Sequence, residues 1–384
     1  MAPFTLRWGI ISTGNIATTF CKDLLVDPCT RNASDVHHQI TAIGSRSVPS
    51  AEGFLTKLKE SAIDHFEWGI KNGALEGCKP YGSYEEVYND PNVDVVYIAT
   101  PHTYHHRNCK DALLAGKNVL CEKPFTLDEE ELEELIGIAR EKGLFLMEAV
   151  WTRFQPITYA IQDIVASGKL GKLKRLTVDN SLDFRLDEKE ETHRMLDPAL
   201  GGGALLDLGP YPLVWAMLIL HHHPLNSSRS PPKILNSYQT LYPRTGVDSA
   251  TRMLLEWEGV GQAALTADLT CHGYMDGVAV ITFEEGDILI VAPPSKPQTF
   301  HIVPHGPDPS RQGLIKTKTT HRYPLSPGHG MAYEADEVAR CIRDGKKESE
   351  RMPLKESLVV MRILDQVRRN GGTKTRDLRG TAGQ

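Results

Sequence analysis

Leu6-Arg7-Trp8-Gly9-Ile10-Ile11-Ser12-Thr13-Gly14-Asn15-Ile16-Ala17 combines the residue patterns of a strand, a glycine-containing turn and the start of a helix. Its apolar beginning, Leu6 to Ile11, predicts a buried strand, and a helix is predicted directly after the turn. A strand–turn–helix of this kind can hold a dinucleotide when glycine lets the backbone approach a pyrophosphate. Gly14 can supply that approach and Ala17 the close packing of the helix. Ser12 stands where the first glycine of the usual fingerprint would be.

Strand and helix patterns alternate from this turn to about residue 150. The predicted strands and helices are, in chain order, Leu6–Ile11, Ile16–Val26, Ile40–Gly44, Ala51–Glu60, Val93–Thr100, Arg107–Ala115, Asn118–Cys121, Asp128–Lys142 and Leu144–Val150. Alternation at this spacing predicts a doubly wound parallel sheet with helices on both faces. The glycine turn alone would also suit an ordinary strand–helix connection, but this context favours a nucleotide-binding Rossmann domain over residues 1–150.

The pattern changes near Trp151. Strand-like stretches then follow one another largely without helices between them: Leu173–Leu182, Lys233–Tyr242, Ala250–Trp257, Gly261–Thr270, Val278–Phe283 and Asp287–Val291. They predict an α+β domain over residues 151–384 with a large, mostly antiparallel sheet. One helix, Leu205–Leu220, interrupts the strands. Two late helices, Gly330–Asp344 and Leu354–Arg369, are assigned to this domain, with packing against the first domain as the alternative. Polar and Pro-rich loops are predicted at His221–Pro232 and Pro293–Gly313.

Composition excludes several classes of protein. The 384 residues carry a net charge of -6, which argues against nucleic acid or an anionic membrane as the main partner. No signal-peptide pattern begins the chain, and no uninterrupted apolar stretch approaches the length of a membrane span. Seven scattered cysteines without a Cys-x-x-Cys pair are typical of reduced thiols, so a cytoplasmic location is expected. The His221–His223 run lacks spaced ligands, and no metal site is expected.

The residues after the second predicted strand indicate which nucleotide binds. A site for NAD usually has Asp or Glu there to hold the ribose 2′-hydroxyl. This chain has Gly44-Ser45-Arg46-Ser47 instead. A guanidinium and hydroxyl groups bind a 2′-phosphate, which a carboxylate would repel. The sequence therefore favours NADP(H), with a solvated surface role for Arg46 as the alternative.

Two further loops follow strands of the predicted parallel sheet. Thr100-Pro101-His102-Thr103-Tyr104-His105 follows one strand, and Cys121-Glu122-Lys123-Pro124 follows the next. Ligands of such sheets lie beyond the carboxyl ends of the strands, so both loops are placed to line the nicotinamide pocket. A functional role for Lys123 is preferred over that of a solvent-facing loop lysine.

A carboxylate and a phenol follow a glycine run in the second domain. In Gly201-Gly202-Gly203-Ala204-Leu205-Leu206-Asp207-Leu208-Gly209-Pro210-Tyr211, Asp207 and Tyr211 are four residues apart and share a face if the helix has begun. For Tyr to act as a base near pH 7, its pKa must fall by about three units, or roughly 4 kcal/mol. One ammonium about 4 Å away supplies an interaction of that size at an effective dielectric near 20. Lys123 could supply it; the alternative is a helix start capped by Asp207.

These motifs together resemble the glucose–fructose oxidoreductase/inositol dehydrogenase (Gfo/Idh/MocA) family. The resembling stretches are Trp8–Ala17, Ser45-Arg46, Ala99–His102, Cys121–Pro124, Glu148–Arg153, His193–Met195, Gly202–Gly209, and Gly328–Met331 to Arg343–Lys346. They span about residues 5–372 in order, and the chain is most similar to the dihydrodiol dehydrogenase branch, which includes fungal NADP-dependent D-xylose 1-dehydrogenases. Tyr211, where many relatives carry His, and Ser12 are both forms found in this branch.

The resemblance implies particular roles for residues. Lys123 and Tyr211 would be the catalytic pair with Asp207 close by, and Trp151 and Arg153 would line the nicotinamide and substrate pocket. The expected cofactor-binding set is Ser12, Thr13, Gly14, Asn15, Ile16, Ser45, Arg46, Thr100, Pro101, His102, His105, Glu122, Lys123, Trp151 and Arg153. The expected substrate-binding set is Lys123, Trp151, Asp207 and Tyr211. The sheet of the second domain would form a homodimer interface.

Three functions remain open on the sequence. The first is an NADP-dependent sugar dehydrogenase that oxidises the anomeric hydroxyl of an aldose, with D-xylose as the best candidate. The second is a trans-dihydrodiol dehydrogenase or α-dicarbonyl reductase with the same catalytic groups. The third is a non-catalytic redox sensor that binds NADP, against which Lys123, Asp207 and Tyr211 argue.

Overall fold

The computed structural model describes residues 2–64, 75–306, 318–325 and 327–373. The chain divides into two compact units, and neither is one continuous segment. The first unit comprises Met1–Phe154 and Leu325–Met361, and the second comprises Gln155–Pro324 and Arg362–Gln384. The first unit therefore adds a late segment of the chain to the N-terminal region in which the Rossmann domain is predicted.

A six-stranded parallel sheet forms the centre of the first unit. Its strands are β1 (Phe4–Ile11), β2 (Val36–Gly44), β3 (Lys79–Tyr81), β4 (Val95–Ile98), β5 (Asn118–Glu122) and β6 (Leu146–Ala149). The spatial order is β3-β2-β1-β4-β5-β6, so the order reverses between β1 and β4. β4 and β6 are buried along their whole length, as expected for strands covered on both faces. The predicted doubly wound sheet is confirmed.

Helices follow the strands of this sheet. They are α1 (Asn15–Leu25), α2 (Val48–Asp64), α3 (Tyr84–Asn89), α4 (His105–Leu114) and α5 (Glu129–Lys142). α5 shows why such a segment is helical. Asp128 accepts a hydrogen bond from the Glu131 amide at its start, and Gly143 ends it in the left-handed conformation at φ 62°.

A late helix, α9 (Ala332–Arg343), is held in the first unit by a buried ion pair. Asp336 accepts two hydrogen bonds from Arg31, both 2.7 Å, and a third contact of 2.9 Å from Nε2 of His38. Nδ1 of His38 in turn accepts from Nε1 of Trp8 at 3.1 Å. Since Nδ1 is an acceptor, the neutral ring donates to Asp336 through Nε2. These contacts join α9 to β1 and β2.

The second unit contains an eight-stranded, mostly antiparallel sheet. Its strands are β7 (Leu173–Ser181), β8 (Lys233–Leu241), β9 (Asp248–Trp257), β10 (Gly261–Asp268), β11 (Ala279–Phe283), β12 (Gly286–Ile290), β13 (Thr299–Pro304) and β14 (Thr319–Arg322). In the order β14-β13-β12-β11-β7-β10-β9-β8, β7 and β10 are parallel and the other described pairs are antiparallel. Leu255 and Trp257 are buried whereas Arg252 and Leu254 are exposed, so one face of β9 is covered and the other is open.

Helical segments complete the second unit. They are α6 (Pro156–Ser167), α7 (Ala204–Asp207) and α8 (Pro210–Ala216), and the last continues as a π-helical turn, Met217–His221. The remaining helix, α10 (Leu354–Gly371), belongs to the first unit up to Met361 and to the second from Arg362. In the described residues, one helical stretch, Pro198–His221, is long and apolar enough to cross a membrane by length and composition. Its most apolar window is 94% buried, which is typical of a core helix.

Three details of the predicted elements are corrected. The predicted loop Pro293–Gly313 contains β13, while its residues 307–313 lie outside the described part of the chain. The predicted continuous helix Leu205–Leu220 is broken between α7 and α8, because Pro210 has no amide hydrogen to continue the ladder. β3, β14, α3 and α6 have no predicted counterpart, since short or weakly periodic segments give little sequence signal.

Candidate active site

The turn between β1 and α1 has the geometry of a phosphate-binding turn. Ser12 lies in the left-handed region at φ 95°, and its amide donates to the Gly44 carbonyl at 3.1 Å, which joins the ends of β1 and β2. Gly14 precedes α1 in an extended conformation and provides no side-chain cap. Gly14, Asn15 and Ile16 are exposed. The first amides of α1 and its partial positive charge therefore remain available to an anion.

Among the residues that the structure describes, none requires a glycine at position 14. A Cβ atom there would meet only Oγ of Ser12, at 3.7 Å, which is ordinary contact. The space above the turn is left open by a residue without a side chain. The residues present thus fit a pyrophosphate that passes close to the backbone.

Hydroxyl groups surround the end of β2. Oγ of Ser45 donates to Oγ of Ser50 at 2.9 Å, and Oγ1 of Thr13 lies 3.5 Å from the same Ser50 atom. Arg46 is exposed, and its charge opposes the effect of burial, which raises the pKa of Tyr84. Hydroxyls and a guanidinium suit a 2′-phosphate. Ser50 is not among the predicted site residues. Its position three residues after Ser47, close to the predicted Ser45-Arg46 pair, was a signal that its hydroxyl could join the same group.

His105 joins the two predicted nicotinamide loops. Its Nδ1 lies 2.8 Å from the Pro124 carbonyl and its Nε2 lies 2.8 Å from the Thr100 carbonyl, and the ring is fully buried. Burial lowers the pKa of His105, while the two carbonyl oxygens favour its protonated form. A neutral ring donates to one carbonyl and an imidazolium donates to both. In either state, the ring holds the loop after β4 against the loop after β5.

Lys123 directly follows β5, and its backbone is held by neighbouring side chains. The Lys123–Pro124 bond is cis. The carboxylate of Glu122 accepts from the Tyr97 hydroxyl at 2.5 Å and from the Lys123 amide at 3.2 Å. Burial raises the pKa of Glu122, and these hydrogen bonds and the Lys123 charge oppose that rise. Glu122 therefore fixes the backbone of Lys123. On the loop that follows β4, His102 is partly exposed.

Trp151 and Arg153 lie together in a turn after β6, and both are buried. Arg153 is 1% exposed, forms an ion pair with Glu356, and donates to the Arg351 carbonyl at 2.9 Å. These contacts give Arg153 a bracing role within the first unit. A direct role of either side chain toward a ligand stays a prediction.

Asp207 and Tyr211 lie on one bent helical segment of the second unit. Asp207 ends α7, and Tyr211 is the second residue of α8. The Leu208 carbonyl between them accepts from the Tyr211 amide at 3.2 Å and from Nδ2 of the buried Asn180 at 3.0 Å. The bend is thus fixed by β7. Lys123 belongs to the first unit, so its pairing with Tyr211 stays a prediction.

Arg194 is a partner of Asp207 that the sequence analysis did not predict. Its Nη1 lies 2.8 Å from Oδ1 of Asp207, and the guanidinium side chain is half exposed whereas the carboxylate is nearly buried. Burial lowers the pKa of the neighbouring His193, and the Arg194 charge adds to this effect. The only sequence signal was the His193–Met195 motif, since Arg194 and Asp207 are 13 positions apart in the sequence.

Within the described ranges, no three or more His, Cys, Asp or Glu side chains are grouped to hold a metal ion. The chemistry available at these residues is that of a phenol, an ammonium and a carboxylate. Such groups can bind and deprotonate an alcohol.

Similarity to known proteins agrees with this arrangement. The family model described as "Oxidoreductase family, NAD-binding Rossmann fold" matches residues 6–150, and the "GFO/IDH/MocA C-terminal domain" model matches residues 158–289. D-xylose 1-dehydrogenase (NADP(+)) of Hypocrea jecorina is 38% identical, over 96% of this chain and 93% of that protein. Trans-1,2-dihydrobenzene-1,2-diol dehydrogenase of Homo sapiens is 33% identical, over 95% of this chain and 96% of that protein.

Solved structures show the same fold. Levoglucosan dehydrogenase in complex with NADH and levoglucosan superposes with a TM-score of 0.77 at 17% identity, covering 96% of this chain and 97% of that one. A 3-ketoreductase from Actinomadura kijaniata in complex with NADP and TDP-benzene gives a TM-score of 0.74 at 23% identity, covering 96% and 98%. With two family models matching most of its length, this chain belongs to the Gfo/Idh/MocA family of oxidoreductases.

Proposed function

We propose that this protein is an NADP-dependent dehydrogenase that oxidises the anomeric C1 hydroxyl of an aldose, D-xylose in the first instance, to a lactone. The observation that carries the proposal is the bent segment of the second unit, in which Asp207 is the last residue of α7 and Tyr211 is the second residue of α8. The 38% identity to a D-xylose 1-dehydrogenase over nearly the whole length of both chains supports the choice of substrate.

Tyr211 is the proposed proton acceptor. The sugar hydroxyl donates a hydrogen bond to Tyr211, and the ammonium of Lys123 lowers the pKa of the phenol so that it can take the proton near pH 7. When bound, NADP+ supplies the acceptor for the hydride that leaves C1. Asp207, held by Arg194, orients a second hydroxyl of the sugar or supports Lys123. Orientation and charge are what this chain contributes to the reaction.

NADP(H) is the proposed cofactor rather than NAD(H). Ser45, Ser50, Thr13 and the exposed Arg46 offer donors and positive charge at the end of β2. Arg46→Asp is expected to raise the Michaelis constant for NADP+ far more than that for NAD+. Steady-state rates with each nucleotide measure the two constants, and equal effects would remove the 2′-phosphate role.

The decisive assay follows NADPH formation by absorbance with purified protein and D-xylose, comparing NADP+ with NAD+. Saturable reduction of NADP+ is the expected result. Tyr211→Phe is expected to reduce turnover by orders of magnitude while NADPH affinity stays nearly unchanged. Turnover of Tyr211→Phe at the wild-type rate would overturn the assignment of the base.

A second candidate is a trans-dihydrodiol dehydrogenase or an NADPH-dependent α-dicarbonyl reductase. It is supported by trans-1,2-dihydrobenzene-1,2-diol dehydrogenases that are 31–34% identical over 94–95% of this chain. The same groups serve both reactions, because hydride transfer is reversible. A protein that binds NADPH but leaves D-xylose unchanged, and that oxidises NADPH with a dicarbonyl, would favour this candidate.

We also propose a homodimer formed through the open face of the second-unit sheet. Leu254 on β9 and Tyr238 on β8 are 36% and 64% exposed, although they lie on a regular sheet. Covering such a face is the usual way to bury apolar side chains. In sedimentation-velocity experiments, Leu254→Asp is expected to lower the sedimentation coefficient from that of a dimer to that of a monomer. Leu114→Asp, at an exposed position on α4, should leave the coefficient unchanged.

A further inference from the structure

The helical segment with Asp207 and Tyr211 begins without a cap of its own. α7 has only four residues, and Gly203 before it has no side chain to accept from the first amides. Unpaired amides at the start of a buried helix are costly, so a partner must come from elsewhere. All residues from Gly201 to Pro210 are buried, which excludes bulk solvent as that partner.

Asp248, at the start of β9, supplies the missing acceptor. Its Oδ2 accepts from the Leu205 amide at 2.8 Å and from Oγ1 of Thr251 at 2.6 Å. The side chain is 1% exposed. A Cβ atom on Gly203 would lie 2.2 Å from Oδ1 of Asp248, and Gly203 has φ 117°. Glycine is therefore required at position 203 for the carboxylate to reach the helix start.

A second contact fixes the same turn. The Met195 carbonyl accepts from the Gly203 amide at 2.9 Å, and a Cβ atom on Gly202 would lie 2.7 Å from that carbonyl oxygen. Arg194, the residue before Met195, binds Asp207. Met195 thus holds the turn before α7, and Arg194 holds the carboxylate of Asp207 at the end of α7.

We propose that Asp248 is a positioning residue that sets the orientation of Asp207 and Tyr211 by holding the first turn of α7. This inference rests on the proposed function. Leu205, which Asp248 holds, is two residues before Asp207, so a rotation at the helix start moves the reacting groups directly. A misplacement of about 1 Å can cost roughly 100-fold in rate. Asp248 acts through the helix.

The test compares Asp248→Ala with Asp248→Asn at pH 8, well above the pKa of Asp248, which burial raises to about 6. Ala removes the acceptor, and kcat is expected to fall by about 10- to 100-fold, while the KM for NADP+ stays within about twofold. Asn keeps an oxygen at the helix start and is expected to restore kcat to within about fivefold of wild type, since Asn caps as well as Asp. Melting temperatures are measured to establish whether both variants fold.

Two further variants make the test specific. Asp27→Ala removes a carboxylate that accepts from the Cys29 amide at 2.9 Å in the first unit, and it should leave kcat unchanged. Gly203→Ala should reduce kcat as Asp248→Ala does, and the double variant should be no worse than the poorer single variant, because both changes break one contact.

Each outcome decides between the proposals. If Asp248→Ala folds and keeps kcat within twofold, or if Asn fails to rescue, the positioning role is wrong. A parallel loss of kcat, NADP+ affinity and melting temperature would indicate a merely structural role. Wild-type protein inactive on D-xylose but active on a dicarbonyl with NADPH overturns the sugar proposal, and the variants are then compared on the dicarbonyl. Absence of turnover on both substrates overturns both proposals.

Discussion

Among single residues, Gly14 tests whether a nucleotide binds at the turn after β1, because glycine there is not needed for packing but leaves room for a ligand. Its backbone is extended and a side chain there would meet no crowded neighbour. Gly14→Val is therefore expected to fold normally and yet to block the approach of a pyrophosphate. A loss of about 2 kcal/mol, or roughly 30-fold in the Kd for NADPH, is expected from fluorescence titration.

The matched control for Gly14 is Gly137→Val, because a Cβ atom at Gly137 meets no described residue within 4 Å and the position lies within α5, where a side chain is tolerated. It should bind NADPH as tightly as wild type. Unchanged NADPH affinity in a folded Gly14→Val protein would show that the nucleotide does not pass over this turn.

Glu334 on α9 is a residue whose burial carries a cost. It is fully buried, and neither carboxylate oxygen has a hydrogen-bond partner among the described residues. Burial, with the charges of Glu122 and Asp23, raises the pKa of Glu334 well above its ordinary value. Because the pKa of Glu334 is higher in the folded than in the unfolded protein, the folded protein holds this proton more tightly. The free energy of unfolding is therefore unaffected by the titration of this group below about pH 4.5. It falls by about 1.4 kcal/mol per pH unit above that, until the pKa of the folded protein is reached.

Glu334→Met is therefore expected to raise the free energy of unfolding at pH 8 by about 1–3 kcal/mol, and to raise it less at pH 5. Urea unfolding at both pH values measures the difference. Glu350→Met, at an exposed position, should show no such pH dependence. An equal gain at both pH values would mean that the ionisation of Glu334 is not linked to folding.

Among the elements of the first unit, α9 is attached partly through one buried carboxylate, that of Asp336. Burial alone would raise the pKa of Asp336, but hydrogen bonds from Arg31 and His38 outweigh it and lower that pKa. Asp336→Asn leaves the buried Arg31 without its charge partner, so a loss of about 3 kcal/mol in unfolding free energy is expected at pH 7. Because the folded pKa is lowered, the difference from wild type should persist down to about pH 4 and shrink below it.

Chemical denaturation across this pH range measures that difference. The matched control is Asp344→Asn, which breaks an exposed pair with Arg343 and should cost less than about 1 kcal/mol. A loss no larger than that of the control would show that the buried pair does not hold α9.

Elements with strong periodicity were predictable from the sequence, and those defined by distant partners were not. β1, β4 and β7 have clear apolar patterns, and the predicted strands coincide with them closely. β13 lies in a Pro-rich segment whose composition resembles a loop, and it is a strand because β12 and β14 pair with it. Local composition cannot show such pairing.

The same distinction applies to the candidate site. Gly14, Arg46, Lys123, Asp207 and Tyr211 follow from motifs with a mechanism, because each motif implies a loop at a strand end or a helix face. Arg194, Asn180 and Asp248 are brought to Asp207 and Tyr211, or to the backbone around them, by tertiary folding. Their spacing along the chain carries no period, so no periodic pattern could have identified their contacts with this segment, and only Arg194 lies in a motif, His193–Met195, that the sequence analysis names.

At the scale of the whole molecule, the nucleotide-binding unit is completed by residues from the far end of the chain. The Leu146 amide of β6 donates to the Lys347 carbonyl at 3.1 Å, and Glu148 accepts from Oγ of Ser357 at 2.7 Å. Arg31 forms an ion pair with Asp336, and Arg153 forms one with Glu356. The first unit consists of Met1–Phe154 together with Leu325–Met361, so it includes residues from the far end of the chain.

A fragment of residues 1–154 is therefore expected not to fold, because it lacks Asp336 and Glu356, the carboxylates that pair with Arg31 and Arg153. Loss of the charge partner in a buried ion pair costs about 3–5 kcal/mol. Joining residues 1–154 to 325–361 through a flexible Gly-Ser linker should restore a cooperative thermal transition and NADPH binding, as measured by circular dichroism and fluorescence titration. The same joined chain with Asp336→Asn and Glu356→Gln is the control, since it has the length but lacks the carboxylates, and it should melt at lower temperature. If the 1–154 fragment alone folds and binds NADPH like the joined chain, the late segment is an accessory to the unit rather than part of its core.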